Sequence, residues 1–489
     1  MILSMTLSPV AGRILQFKTA NSAALLFSGL LLASSALSAE GTLGDWSEAD
    51  LKAAAALRDH ARSGTRAYEH VKSLVTEVGP RSAGSAGDEA AVRWALAKLA
   101  KLGFSKVRSQ DVLVPHWERG TAQARIVAPY PQTLVATSLG GAIGTPEIGI
   151  EAPVLRAVSL DSLTTQSAST VRGKIVFIDQ RMERTRDASG YGDAVKVRVQ
   201  GASAAADLGA LGVVIRSIGT SDDRVAHTGS LVYSTDAPRI PAFALSHPDA
   251  DVLAQQLESG KAVRLRLYST ARELPPAWSA NVIGEIPGRD RPEEIVLLAA
   301  HLDSWDTGQG AIDDGAGVAI VMEAARLIGR LDRPPSRTIR VVLFANEERG
   351  TSGAKEYARL VADEVGKHVL AMEADLGAGP AWRLQSDVAS QAAPAIAAIV
   401  KVLEPLQIES SDEPAEGGAD IGPLRQAGVP VIDLALDATN YFDVHHTVND
   451  TLAKIDAKTL DQSVAAFAVA AYLAATKQGD FGRVTPASP

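Results

Sequence analysis

The chain has 489 residues, 46% of them hydrophobic and 21% charged, with a formal net charge of −9. That length is too great for one ordinary core and gives two folded domains as the prior. Mild acidity without a long basic run speaks against nucleic acid or an anionic membrane surface as partner. The absence of cysteine excludes disulfides and thiolate metal sites, so any metal must take oxygen and imidazole ligands.

Residues 1–39 read as a secretory signal peptide. Arg13 and Lys18 precede an apolar run from Ala23 to Leu32, and small residues follow through Ala39. Cleavage after Ser38 or Ala39 fits, and either Met1 or Met5 can be the start. An uncleaved anchor helix is the alternative, but the run is short of the ~20 apolar residues of a full span. The expectation is a periplasmic or secreted protein with no membrane contact after cleavage.

Beyond the signal, Trp46 to Val75 has an apolar face of helical period, and Gly79-Pro80-Arg81 breaks it. Ser85 to Leu102 reads as a second helix that Gly103 stops, and Ser105 to Val114 as a strand. From 121 to 274 the texture shifts to short β-rich runs: Gln132 to Ser138, Lys174 to Asp179, Gly212 to Arg216 and Ile240 to Leu245. Helices are expected there at Gly201 to Gly209 and Asp249 to Leu257. This segment reads as an inserted, mostly β domain. From Ala280 strands and helices alternate. The strands are Val282 to Ile286, Ile295 to Ala300, Thr338 to Ala345, Val369 to Met372 and Val431 to Leu436. The helices are Gly317 to Ile328, Ser352 to Val361, Ala393 to Leu406 and Leu460 to Thr476. That rhythm predicts an α/β three-layer sandwich around a mixed sheet, formed by 40–120 and 275–478 together. Residues 479–489 read as a loose tail.

The chemistry gathers at strand ends. His301 directly follows an apolar strand, and Asp303 two residues on can orient its imidazole. Asp313 lies between Gly308-Gln309-Gly310 and Gly315-Ala316-Gly317, where a tight backbone can wrap an ion. Asp314 suits the same role or the start of the following helix. Glu347 and Glu348 follow a buried strand, so one can bind metal while the other takes a proton from water. Asp375 ends another strand, with Glu373 a competitor. Of His445 and His446, only one can face a site from extended backbone, and Tyr441 is near enough to polarise a carbonyl. The remaining histidines, His227 among them, lack carboxylate company at strand ends.

Taken jointly, these segments resemble the di-zinc aminopeptidase and glutamate carboxypeptidase superfamily, in its carboxypeptidase Q-like branch. The matching stretches are H-L-D-S-W-D-T-G-Q-G-A-I-D-D-G-A-G from His301, A-N-E-E-R-G-T-S-G-A from Ala345, M-E-A-D from Met372, H-H-T-V-N-D-T from His445 and G-P-R-S-A-G-S from Gly79. The 121–274 segment resembles a protease-associated domain, through V-R-G-K-I-V-F-I-D from Val171. The resemblance implies a zinc peptidase fold with two Zn2+ per chain, although cobalt or manganese would suit the same ligands. It implies that His301 and Asp375 hold one ion, Glu348 and His446 the other, and that Asp313 bridges them. His446 is preferred because Asp450 stands four residues after it. Glu347 becomes general base and acid, Asp303 the outer carboxylate behind His301, and Asp313-Asp314 a candidate cis peptide. Asp420, in the loop from Glu416, is expected in the wall that receives a substrate amino group. Substrates would be short peptides or dipeptides with a free N-terminus, and a homodimer is possible in this superfamily. Two rivals are a hydrolase of other small amides, such as N-acyl amino acids, and a non-catalytic binding protein of transferrin-receptor type.

Overall fold

Two eight-stranded sheets organise residues 45–484, the part of the chain that this computed structural model describes. The expected signal peptide lies outside the described residues. The first sheet comprises β1 (Ser105–Glu118), β2 (Arg272–Ile286), β3 (Arg291–His301), β4 (Arg337–Phe344), β5 (His368–Glu373), β6 (Ala381–Asp387), β7 (Glu409–Ser410) and β8 (Val431–Leu436). Across the sheet their order is β1-β2-β4-β3-β5-β8-β6-β7. Strands β4, β3, β5 and β8 run parallel, and β2 and β6 flank them antiparallel.

The central strands are buried on both faces, which explains why they read as continuous apolar runs. Along β3, Val296, Leu298 and Ala300 join a core built with helices Glu48–Arg62, Ala316–Ile328 and Ala457–Thr476. Leu297 and Ala299 point the other way, into a core with Ala354 and Tyr357 of helix Ser352–Leu360 and Leu424 of helix Gly422–Gln426. This is the expected helix–sheet–helix sandwich around a mixed sheet. Strand β6 was not foreseen, because most of its residues are only partly buried and no apolar alternation marks it.

The helix expected over Trp46 to Val75 is two helices, Glu48–Arg62 and Ala67–Glu77. Gly64 at φ +135° turns the chain between them, and the Thr65 amide and hydroxyl both donate to Asp461. The tail is also firmer than expected through residue 484. Phe481 is fully buried, its carbonyl accepts from the Ala389 amide, and Gly479 accepts from Arg337.

Residues 122–269 supply the second sheet, in which Ile150–Ala157, Ile175–Ile178, Gly212–Arg216 and Ala242–Leu245 run parallel in that order. Helices Ser189–Asp207 and His247–Glu258 accompany it. The first begins well before the expected Gly201, since Gly190, Ala194, Val197 and Arg198 already form a buried face. Among the described residues no helix is long and apolar enough to cross a membrane.

Leu298 has no solvent exposure and sits in the middle of the sandwich. Leu298→Ala should cost about 2–5 kcal/mol, as buried leucine truncations do. The expected result in a thermal melt is a clear fall in Tm; an unchanged Tm would contradict the packing.

Candidate metal centre

Parallel neighbours end at the same edge, so β3, β4 and β5 deliver their following residues to one place. His301 closes β3, Glu347 and Glu348 follow β4, and Asp375 follows β5. Asn346 takes a left-handed turn at φ +61°, a conformation asparagine tolerates better than most residues. Its side chain donates to Ser352 Oγ at 2.8 Å.

Asp313 lies at the middle of the cluster. Its Oδ1 is 3.2 Å from His301 Nε2, which is also 3.4 Å from Asp375 Oδ1. Its Oδ2 is 3.2 Å from His446 Nε2, which is 3.0 Å from Glu348 Oε2. His445 stacks on His446 with ring centroids 3.5 Å apart, and its Nε2 is 3.7 Å from Asp313 Oδ2. Two sets of donors can each close within 4.8 Å: His301 with Asp313 and Asp375, and Asp313 with His445 and His446. Both histidines therefore stand at this end, and His446 is the one that meets Glu348.

The imidazole tautomers favour a cation. His301 Nδ1 is 3.0 Å from the Asp303 main-chain oxygen, and His446 Nδ1 is 3.4 Å from that of Thr228. A carbonyl only accepts, so each Nδ1 carries a proton and each Nε2 is left aimed at carboxylates. Each Nε2 donates to them while the imidazole is protonated; in the neutral imidazole it presents a lone pair, which only a cation can share with those oxygens without repulsion. Glu348 Oε1 is moreover buried without a hydrogen-bond partner. Oxygen and imidazole donors in this mixture suit zinc, cobalt or manganese.

The carboxylate of Asp303 was expected behind His301, but it lies 3.7 Å from Nδ1 and the main-chain oxygen takes the bond instead. The carboxylate accepts from the Glu347 amide at 3.0 Å. Asp314 caps the next helix through Gly317 and also accepts from the His301 amide at 3.1 Å. The Asp313–Asp314 peptide is cis. Glu373 turns away and accepts from the Asp420 and Ile421 amides.

A cavity of about 190 Å³ opens on the cluster, lined by Asp313, Glu347, Glu348, Tyr441, Tyr191 and Arg198 among others. A larger one of about 770 Å³ adjoins it, sharing Tyr191, Asp375 and Leu376 and reaching Arg383, Glu413 and Glu416. The expected wall loop thus contributes Glu416 and Gly418, but not Asp420. The Asp420 side chain is buried, with neither oxygen partnered.

Residues 281–471 match the family model for peptidase family M28. Carboxypeptidase Q of Mus musculus is 37% identical over 410 residues, spanning 84% of this chain and 86% of that protein. The chain belongs to peptidase family M28. Among solved structures, the peptidase M28 precursor of Shewanella amazonensis is 46% identical, with a TM-score of 0.88 over 90% of this chain and 100% of that one. BSAP, a zinc aminopeptidase from Bacillus subtilis, shares the fold at 20% identity and a TM-score of 0.62, over 86% of this chain and 97% of that one. This M28 chain is accordingly a metallopeptidase of the carboxypeptidase Q-like branch, which sets aside the non-catalytic alternative.

Sequence reasoning missed what holds the M28 centre in shape. The guanidinium of Arg81 is wholly buried and donates to the carbonyls of Leu302, Gln309 and Gly310, bracing the loop that leads to Asp313. Asp450, noticed only for its spacing, accepts from the amides of Ala311, Ile312 and Asp313. Tyr191 and Arg198 arrive from the second sheet's helix. A buried arginine paired with carbonyls leaves no sequence trace, whereas the G-P-R motif at least marked the place.

Burial pushes Glu347 well above the usual carboxylate range, with Asp375 and Glu348 adding to it. Burial also carries Glu348 up to about 7. Asp313 goes the other way: burial raises it, but hydrogen bonds from His301 and His446 prevail and hold it well below its ordinary value. For His446, burial opposes the charged form, yet the Glu348 carboxylate raises it to about 9. A cation needs the neutral imidazole, so loading must expel protons held below that value. Apparent zinc affinity should therefore rise as the pH climbs toward about 9. Calorimetry in buffers of differing ionisation enthalpy should register net proton release; no release would contradict the arrangement.

Proposed function

We propose that this metallopeptidase is a co-catalytic di-zinc exopeptidase acting on short peptides or dipeptides, with recognition of a free N-terminus. One observation carries this reading: each oxygen of Asp313 faces its own imidazole and its own second carboxylate. In it, His301 and Asp375 would hold one ion and Glu348 and His446 the other, with Asp313 available to both. When bound, the ions supply Lewis-acid polarisation of water and of the scissile carbonyl. The donor chemistry supports zinc, and the Bacillus subtilis neighbour of the same fold is a zinc enzyme.

Glu347 performs the proton transfers. It lines the small cavity without a place in either donor set, and its raised pKa reflects burial. It takes the proton of the attacking water and returns it to the leaving amine. Its main-chain amide is tied to Asp303, which aims the side chain. Tyr441, on the same wall, donates to the carbonyl oxygen as charge develops there. The larger cavity carries Glu413 and Glu416 and receives the protonated amino group.

A second reading, cleavage from the carboxyl end, has one observation behind it. Arg198 lines the small cavity with one guanidinium nitrogen buried and unpartnered, so a substrate carboxylate can be met there. A panel of dipeptides, aminoacyl amides and N-acyl amino acids separates the readings. Free N-termini should be required; turnover of blocked substrates alone would favour the amidase alternative. The signal-like residues before Ala39 support secretion or periplasmic export.

Glu347→Gln should retain its metal and lose at least ~10²-fold in kcat, the usual share of general base catalysis. Elemental analysis with steady-state kinetics checks both halves, and unaltered turnover would refute the assignment.

A further inference from the structure

The two donor sets differ in what braces them. His301 is fixed by neighbours of the first sheet: its amide donates to Asp314 and its Nδ1 to the Asp303 carbonyl. Asp375 follows Ala374, whose amide donates to Ala299 of β3. Nothing from the second sheet enters that frame of bonds.

The other set is braced differently. Residues 227–230, which belong to the second sheet's segment, touch the backbone of both its members. His227 Nδ1 donates to the His445 carbonyl at 2.8 Å, and the Thr228 amide donates to the His446 carbonyl at 3.0 Å. The Thr228 carbonyl accepts from His446 Nδ1, and Ser230 Oγ donates to the Glu348 carbonyl at 2.6 Å. His446 stands at φ +61°, a backbone region that a residue with a side chain keeps only when its surroundings impose it.

The four residues are themselves anchored in the second sheet. The His227 amide donates to Ser217 Oγ, which donates to the Leu245 carbonyl. Thr228 Oγ1 donates to the Ser138 carbonyl, and Arg198 Nε to that of Ser230. Gly229, at φ +123°, lies so close to the Arg198 guanidinium that a Cβ there would come within 2.4 Å of it. The segment is thus tied into the second sheet on one side and to the backbone of His445, His446 and Glu348 on the other.

We propose that residues 227–230 are a positioning clasp for one ion only: the first sheet forms the His301–Asp375 site by itself, while the Glu348–His446 site exists only where the second sheet's segment grips it. Metal binding is then unequal, with a self-sufficient site and a clasp-dependent one. This inference rests on the two-ion reading above.

The test uses the full-length protein, with zinc content measured by elemental analysis and the two dissociation constants by chelator competition. His227→Leu keeps volume but removes the donor. It should weaken one ion by about 10–100-fold, as loss of an outer-shell bond does, and leave the other unchanged. Ser230→Ala should weaken the same ion. His227→Asn, whose amide nitrogen can occupy the place of Nδ1, should restore tight binding, which a merely space-filling role would not explain. Two equally tight ions in both His227→Leu and Ser230→Ala, or equal loss of both ions from a folded variant, would overturn the clasp. If His227→Leu does not fold, Ser230→Ala decides by the same criteria. A single ion in the unaltered protein would instead overturn the two-ion reading, and the clasp with it.

Discussion

Crowding of carboxylates around Asp313 is the constraint on which the rest depends. Buried Asp313 and Glu348 and half-buried Glu347 and Asp375 meet where the parallel strands of the first sheet end. Burying one unpaired carboxylate is already costly, and like charges compound the cost. Without cations the shifts diverge: burial pushes Glu347 and Glu348 up, the imidazoles hold Asp313 down, and the Glu348 carboxylate favours the charged form of His446. Dications invert that balance, since a bound ion is the largest local charge and draws the carboxylates back to their ionised form. The centre is thus poised to exchange protons for metal, and the fold maintains that poise.

Hydrogen bonds to the backbone brace the loops that carry the centre. Asp450 gathers three consecutive amides up to Asp313, Arg81 gathers the carbonyls just before them, and Asp314 ties His301 to the following helix. Each is a buried polar side chain bonded to main-chain groups that would otherwise be buried and unpaired. The second sheet adds its own bracing through residues 227–230 and walls the cavity with Tyr191 and Arg198. The second sheet's segment thus both braces the backbone of His445 and Glu348 and forms part of the cavity wall.

How much of this was legible beforehand follows from where the information lies. The central strands announced themselves as unbroken apolar runs, with His301, Glu348 and Asp375 at or just past their ends, while Asp313 stood between two glycine-rich turns and His446 in a histidine pair beyond the last strand. Strand β6 did not, because half-exposed Arg383, Gln385 and Ser386 carry no alternation. Asp303 looked like a carboxylate behind His301, yet the shorter reach of its own carbonyl took that bond. Asp420 looked like a pocket wall from its glycine-rich neighbourhood, but the turn buries it and presents Glu416. His227 was discounted for lacking carboxylate neighbours in sequence. Its partner is a main-chain oxygen 218 residues away, a contact that only the folded chain reveals.

The central claim is that Asp313 separates two cations, one on each carboxylate oxygen. Anomalous diffraction at the zinc absorption edge, on crystals of the full protein grown with zinc, tests it most directly. Two peaks are expected, one among His301, Asp313 and Asp375 and one among Asp313, Glu348 and His446. A single peak, or strong peaks away from Asp313, would contradict it.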